Sequence, residues 1–113
     1  MSFLISHSNN EIKTSFNISG SKSESNRLLI LKYLFNDLEI KNLSDSDDTL
    51  VLQDGLSKDS GSVNVHHAGT AMRFLTAYFS TQENKYYEIL GSSRMHERPI
   101  KILVDALNSL GAD

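Results

Sequence analysis

The chain has 113 residues, a formal net charge of −3 and no cysteine. This length is sufficient for one modest domain with a core, the charge argues against a broad nucleic-acid surface, and the absence of cysteine excludes disulfides and thiolate metal sites. No apolar run reaches the roughly 18 residues of a membrane span, and the N-terminal residues do not resemble a signal peptide. We therefore expect a cytoplasmic protein that binds neither nucleic acid nor a membrane.

The predicted elements alternate between strands and helices. Residues 3–7 and 11–18 alternate in polarity or carry β-branched side chains, which predicts two strands. The later elements are a helix at 23–36, a strand at 38–43, a helix at 46–57, a strand at 62–66, a helix at 69–80, a strand at 85–90 and a helix from Pro99 to just before Gly111. This alternation indicates an α/β class with a mixed α+β sheet.

The helices differ in their apolar patterns. The first (LLILKYLF) and the third (AMRFLTAYF) are apolar on nearly all sides, so we expect both to be buried. The last is predicted to be amphipathic and to end at Gly111, a favourable C-terminal cap. Its apolar residues recur at helical spacing: Ile100, Leu103, Leu107 and Leu110.

The arginines are concentrated where loops lead into helices. The four are Arg27, Arg73, Arg94 and Arg98. The planar guanidinium group matches carboxylate and phosphate, whereas lysine is more often a solvated surface charge. The segments 20–27, 67–73 and 91–98 are therefore predicted to form a shared anion site. The alternative is that each arginine pairs with a local acid such as Glu97.

The stretch SGSKSESNR at 19–27 has suitable chemistry for this site. A loop before a helix exposes backbone N–H groups, and the helix dipole favours a negative ligand there. Gly20 permits close approach, while Lys22, Ser23 and Arg27 are placed to converge on one phosphate. A serine-rich helix start is also simply good capping, which accounts for Ser21 and Ser25.

Several other motifs fail on their spacing. A Walker A loop needs a glycine directly before Lys22, and the S-x-x-K pattern ending there lacks its S-D-N and K-T-G companions. The acidic run from Asp45 has leucines where a calcium loop needs Gly and Glu. His66, His67 and His96 do not have a zinc-binding spacing. We therefore predict no metal and no cofactor.

Four stretches carry a resemblance to a known family: GSKSESNR at 20–27, NLSDSDDT at 42–49, HAGTAMRFL at 67–75 and SRMHERPIKILVDALNSLGA at 93–112. In order and spacing the chain resembles the N-terminal part of the 5-enolpyruvylshikimate-3-phosphate synthases, or 3-phosphoshikimate 1-carboxyvinyltransferases. The related UDP-N-acetylglucosamine enolpyruvyl transferases usually have Lys-Asn where this chain has Lys22-Ser23, and they use an active-site cysteine.

The resemblance implies a reaction and two substrates. The enolpyruvyl group of phosphoenolpyruvate is transferred to the 5-hydroxyl of shikimate 3-phosphate, and phosphate is released without a metal or cofactor. The family serves aromatic amino-acid biosynthesis through the shikimate pathway and chorismate. Glyphosate inhibits it at the phosphoenolpyruvate site, and the full enzyme is expected to be a monomer.

The resemblance also implies roles for individual residues. Lys22 is expected to contact both substrates, Ser23 and Arg27 to bind shikimate 3-phosphate, and Gly69 and Arg94 to bind phosphoenolpyruvate. Supporting roles are expected for His67, Thr70, Arg73 and Arg98. The chain departs from the usual family pattern at His67, where Asn is common, and at Phe74, where Pro is common. The chain also has fewer residues between Asp48 and His67 than many relatives, which have room there for an extra strand pair. We therefore expect this edge of the domain to be smaller.

The resemblance implies a domain organisation as well. The family is built from βαβαββ units in two domains. Residues 1–18 are expected to be strands that belong with the other domain, and residues 19–113 an incomplete N-terminal substrate-binding domain. The general acid/base groups are expected beyond Asp113, so we expect a fragment that is inactive alone. The alternatives are a stand-alone anion-binding module on the same scaffold and a structural remnant whose arginines pair internally.

Overall fold

A computed structural model describes residues 1–7, 11 and 13–113 of the chain. In chain order the elements are α1 (Lys22–Leu34), α2 (Asp47–Ser57), β1 (Gly61–Asn64), α3 (Gly69–Phe79), β2 (Tyr87–Leu90), α4 (Ser93–His96) and α5 (Lys101–Ser109). Among these residues, none of the helices combines the length and the apolar character that a membrane crossing requires.

The two strands pair in parallel, with Gly61 opposite Tyr87 and Asn64 opposite Leu90. Parallel strands need a crossover connection, and α3 provides it. The strands predicted at 62–66 and 85–90 are therefore confirmed, with shifted ends. Helices combined with a parallel pair agree with the predicted α/β class in its coarse form.

The core lies between α2, α3 and the sheet. Leu52, Val63, Val65 and Leu75 are at most 1% exposed. Gly55 allows α2 to approach α3 closely, because a Cβ at this position would lie 2.6 Å from a methyl carbon of Leu75. The buried face of α3 is thereby fixed against α2, and the start of α3 is placed beside the start of α2.

Three predicted strands are wrong. Residues 3–7, 11 and 13–18 form no strand and are exposed, while position 12 lies outside the described residues. Local β-propensity does not make a strand unless a neighbouring strand accepts its hydrogen bonds. The segment 38–43 is not a strand either, and the backbone that follows it is bonded to α1, because the Ser44 amide donates to Ser25 Oγ at 2.9 Å.

The burial prediction is wrong for α1 and confirmed for α3. Only one face of α1 is buried, through Ser25, Asn26 and Leu29, while Leu31 and Leu34 are 42% and 50% exposed. No residue of α3 is fully exposed. The difference arises because α3 lies between α2 and the sheet, whereas α1 packs against its neighbours along one side only.

The helix ends show where local signals were sufficient. The helix α1 begins at Lys22 with Ser21 as N-cap, one residue before the predicted start. The predicted cap at Gly111 is confirmed: its φ is +97°, and the amides of Gly111 and Ala112 close the last turn by donating to the carbonyls of Asn108 and Leu107. The helix α5 starts only after Pro99, and the short α4 was not predicted.

Candidate anion-binding site

The start of α1 presents free backbone donors. Within the described part of the chain, the amides of Lys22 and Ser23 have no hydrogen-bond partner, whereas the Ser25 amide donates to the Ser21 carbonyl at 2.9 Å. The Glu24 amide lies 3.4 Å from Ser21 Oγ, its cap. Two exposed amides at the positive end of a 13-residue helix are a suitable binding place for an anion.

The loop before α1 is held in place by its neighbours. A Cβ on Gly20 would overlap the carbonyl oxygen of Asn42 and lie 3.3 Å from the Ser44 amide nitrogen. Glycine is therefore required for an approach to the segment 42–44, and the first turn of α1 is fixed on that segment. We expected the close approach at Gly20 to serve a ligand, but in the structure it serves packing.

Lys22 is joined to the start of α3 through Asp48. Its ammonium nitrogen lies 2.9 Å from Asp48 Oδ2, and Asp48 Oδ1 accepts hydrogen bonds from the Thr70 and Ala71 amides, both at 3.2 Å. The predicted segments 20–27 and 67–73 are thus brought together. Their meeting point is a carboxylate that belongs to α2.

The start of α3 is closed, in contrast to that of α1. The Gly69 amide donates to the His67 carbonyl at 3.0 Å and the Met72 amide to the Ala68 carbonyl at 2.9 Å. The two amides between them are bonded to Asp48. All four N-terminal donors of α3 are therefore satisfied by the chain itself, so this helix start offers no free amide to a ligand.

The arginines do not pair with acids in the described chain, whose ion pairs join carboxylates to lysines and to His67. Pairing with a local acid is therefore not observed. Arg27 Nη1 donates to the Ser23 carbonyl at 2.8 Å, and its guanidinium carbon lies 5.9 Å from the centre of the Phe74 ring. Phe74, which departs from the usual family pattern, thus lies beneath a predicted ligand-binding arginine.

The segments 67–73 and 91–98 also meet. Arg73 donates to the carbonyls of Pro99 at 2.8 Å and Gly69 at 3.3 Å, so it links the start of α3 to the loop before α5. The guanidinium of Arg98 lies against Gly69, where a Cβ would overlap Nη1. The Arg94 side chain is exposed and makes no hydrogen bond or ion pair in the described chain, so the structure does not join it to the others.

The remaining predicted residue, His67, lies at the edge of the site. Its Nε2 is 3.7 Å from Asp47 Oδ2, and both side chains are exposed. In the described chain, no three His, Asp or Glu side chains are grouped as metal ligands. The residue that sequence reasoning missed is Asp48: it belongs to an acidic run that was considered as a calcium loop and excluded on its spacing.

Comparison with known proteins gives consistent matches. The family profile for EPSP synthase (3-phosphoshikimate 1-carboxyvinyltransferase) matches residues 53–113, just over half of the chain. The chain is 47% identical to a 3-phosphoshikimate 1-carboxyvinyltransferase of Bacteroides fragilis (strain YCH46) over 90% of its own length and 25% of that relative. For the enzyme of the same name from Marinomonas sp. (strain MWYL1), the identity is 38%, over 96% of the chain and 31% of the relative.

A third relative is the Pentafunctional AROM polypeptide 2 of Lodderomyces elongisporus, at 41% identity over 82% of the chain and 8% of the relative. No solved structure matches the chain. The chain thus spans about a quarter of the length of the first curated relatives it matches.

Fold and site together define a class: a small α/β protein with cationic side chains gathered at the starts of its helices. The comparisons specify the family. The chain belongs to the EPSP synthase (3-phosphoshikimate 1-carboxyvinyltransferase) family, which confirms the resemblance inferred from the four sequence stretches.

Proposed function

We propose that the chain forms part of a transferase that moves the enolpyruvyl group of phosphoenolpyruvate to the 5-hydroxyl of shikimate 3-phosphate and releases phosphate. This reaction belongs to aromatic amino-acid biosynthesis. The names of the relatives support the proposal. Within the structure, it is supported by the free start of α1 beside Lys22, which suits the phosphate that the acceptor substrate carries.

The start of α1 is proposed as the subsite for shikimate 3-phosphate. The free amides of Lys22 and Ser23 and the exposed Ser23 side chain lie at the positive end of the helix, which favours an anion. The ammonium group of Lys22 is at the same helix end, and its side chain is 45% exposed. Arg27 uses one Nη on the Ser23 carbonyl, which leaves other donors of its fork for a ligand.

Lys22, Gly69 and Arg94 are proposed to form the phosphoenolpyruvate subsite, with His67, Thr70, Arg73 and Arg98 in support. The Gly69 amide is already bonded to His67. The proposed role of Gly69 is therefore to leave space, because the absence of a Cβ gives room for the Arg98 guanidinium. Arg73 would hold this arrangement through Pro99.

The chemistry of the substrates accounts for such a site. Both are polyanions, and the charge persists in a tetrahedral intermediate of addition and elimination. Cations and helix dipoles that are fixed before the reaction stabilise this charge without reorganisation. They also offset the repulsion between two like-charged molecules, which allows the reacting groups to be held in contact.

The wider organisation is also proposed. Residues 19–113 would belong to a substrate-binding domain of βαβαββ units, and residues 1–18 to the other domain. The exposure of Phe3, Leu4, Ile5, Phe16 and Ile18, each above 70%, supports this division, because such side chains are usually covered in a folded protein. The cytoplasmic location and the monomeric state stay predictions.

Replacement of Arg27 by alanine is expected to weaken the affinity for shikimate 3-phosphate by about tenfold, since a charge-assisted contact to phosphate is lost. Titration calorimetry of the chain measures this change. Lys32→Ala is the control, because it removes an exposed cation from the last turn of the same helix. Equal affinities for shikimate 3-phosphate and inorganic phosphate would instead favour the stand-alone anion-binding module.

The variant Gly69→Ala is expected to weaken the binding of phosphoenolpyruvate severalfold, because the added methyl group displaces the Arg98 guanidinium. The free energy of unfolding should change by less than about 1 kcal/mol, since only the end of a flexible side chain must move. Calorimetry and urea unfolding of the same sample separate the two effects. Unchanged phosphoenolpyruvate binding would contradict the proposed role of Gly69.

A further inference from the structure

The carboxylate of Asp48 lies where the starts of α1, α2 and α3 meet. One oxygen is bonded to the Lys22 ammonium at 2.9 Å, and the other accepts the Thr70 and Ala71 amides. Its side chain is only 14% exposed. One side chain thus contacts the cation proposed to meet both substrates and also fills the positive end of a second helix.

The position of Asp48 is set by packing on both sides. It is the second residue of α2, next to Thr49, which is fully buried. Thr49 Oγ1 donates to Asn26 Oδ1 of α1 at 2.7 Å, and this bond fixes the start of α2 on α1. The helix α2 also packs on α3 through Gly55 and Leu75. The carboxylate is therefore anchored independently of its bond to Lys22.

We propose that Asp48 is a positioning residue of this site, which fixes the ammonium group of Lys22 and directs a phosphate group to the free amides of α1 by occupying the Thr70 and Ala71 amides of α3. The identity of the ligand in this inference rests on the proposed function. The geometry itself does not, because the three contacts of the carboxylate are present without any ligand.

The direction in which Asp48→Asn changes the affinity for an anion distinguishes a positioning role from a purely electrostatic one. Asp48→Asn removes a negative charge near an anion site, so long-range electrostatics alone would strengthen anion binding. An asparagine oxygen still accepts from Thr70 and Ala71, but its NH₂ group cannot accept from Lys22. In Asp48→Asn the cap of α3 is therefore kept while Lys22 is released. If Asp48 is a positioning residue, this variant should bind the anion more weakly.

The test is a double-mutant cycle on shikimate 3-phosphate affinity, measured by calorimetry with the unaltered chain, Asp48→Asn, Lys22→Gln and the double variant. We expect Asp48→Asn to weaken binding about tenfold, and by less than about twofold when Lys22 is already replaced, because Asp48 acts through Lys22. The control is Asp54→Asn, which makes the same change on the same helix, in an exposed pair with Lys58 directly after its end. It should leave the affinity unchanged.

Stronger or unchanged binding of shikimate 3-phosphate by Asp48→Asn would overturn the proposal. An equal loss of affinity with Lys22 present and with Lys22→Gln would also overturn it, because a purely structural role produces that result.

If the unaltered chain does not bind shikimate 3-phosphate, the proposed function fails for this chain. The role of Asp48 is then tested by NMR with inorganic phosphate. Phosphate should shift the Lys22 and Ser23 amides in the unaltered chain, and those of Thr70 and Ala71 in Asp48→Ala. If Thr70 and Ala71 do not respond in that variant, the directing role is refuted.

Discussion

Replacement of Gly20 by alanine is expected to lower the free energy of unfolding by about 3 kcal/mol. The new Cβ would overlap the Asn42 carbonyl oxygen and lie 3.1 Å from the carbonyl carbon. These are backbone atoms, so relief requires the segment 42–44 or the first turn of α1 to move. The cost falls at the upper end of overpacking penalties, and the loss of unfolded-state entropy on replacing glycine offsets only part of it.

Urea unfolding followed by circular dichroism measures the effect of Gly20→Ala. Ser19→Ala is the matched control. Ser19 is the residue before Gly20 and is exposed, and substitutions at exposed positions usually alter the free energy of unfolding by less than about 0.5 kcal/mol. Gly20→Ala should also weaken shikimate 3-phosphate binding, since the amides of Lys22 and Ser23 lie in the turn that must move. Identical unfolding curves for Gly20→Ala and the unaltered chain would refute the close approach to Asn42.

The variant Thr49→Val is expected to lower the free energy of unfolding by about 2 kcal/mol, which is within the range for leaving a buried polar group unsatisfied. Asn26 is fully buried, and in the described chain its Nδ2 has no partner. The hydroxyl of Thr49 supplies a hydrogen bond to Oδ1, so valine leaves the asparagine side chain without it. Shape is conserved, which separates this loss from a cavity effect.

A second substitution makes this prediction specific. Adding Asn26→Leu to Thr49→Val should restore the part of the stability that is lost at Asn26, because replacing both partners of that bond by apolar groups of similar shape is nearly neutral. The bond between Thr49 Oγ1 and Ser46 Oγ, 2.9 Å long, stays lost. Thr76→Val is the control, since its hydroxyl bonds only to the Met72 carbonyl within α3. Chemical denaturation of the unaltered chain and the three variants checks the series. A double variant less stable than Thr49→Val would show that the polar pair itself stabilises the junction of α1 and α2.

The sequence was sufficient for features that depend on near neighbours. The cap at Gly111 was predicted correctly because glycine, the last turn and the two closing amides lie within six residues, 107–112. The helices α2 and α3 and both paired strands were found from local spacing. The segments 20–27 and 67–73 lie close together in the structure, joined through Asp48, while the shared anion site inferred from their arginines stays a prediction.

Features that depend on distant partners were not predictable in the same way. The segments 3–7 and 38–43 have strand-like sequences, but no strand pairs with them in the described chain. The surface of α1 is apolar, yet only one face is packed. The role of Asp48 depends on Lys22, 26 residues earlier, and on Thr70, 22 residues later. No local signal relates a carboxylate to partners at those distances.

The most direct test of the account is an NMR titration of the ¹⁵N-labelled chain with shikimate 3-phosphate. The central claim is that the free start of α1 receives the phosphate while the start of α3 is closed by Asp48. We predict that the largest amide shifts occur at Lys22 and Ser23 and that Thr70 and Ala71 change little. Saturating shifts centred on Thr70 and Ala71, or no shift at Lys22 and Ser23, would contradict it.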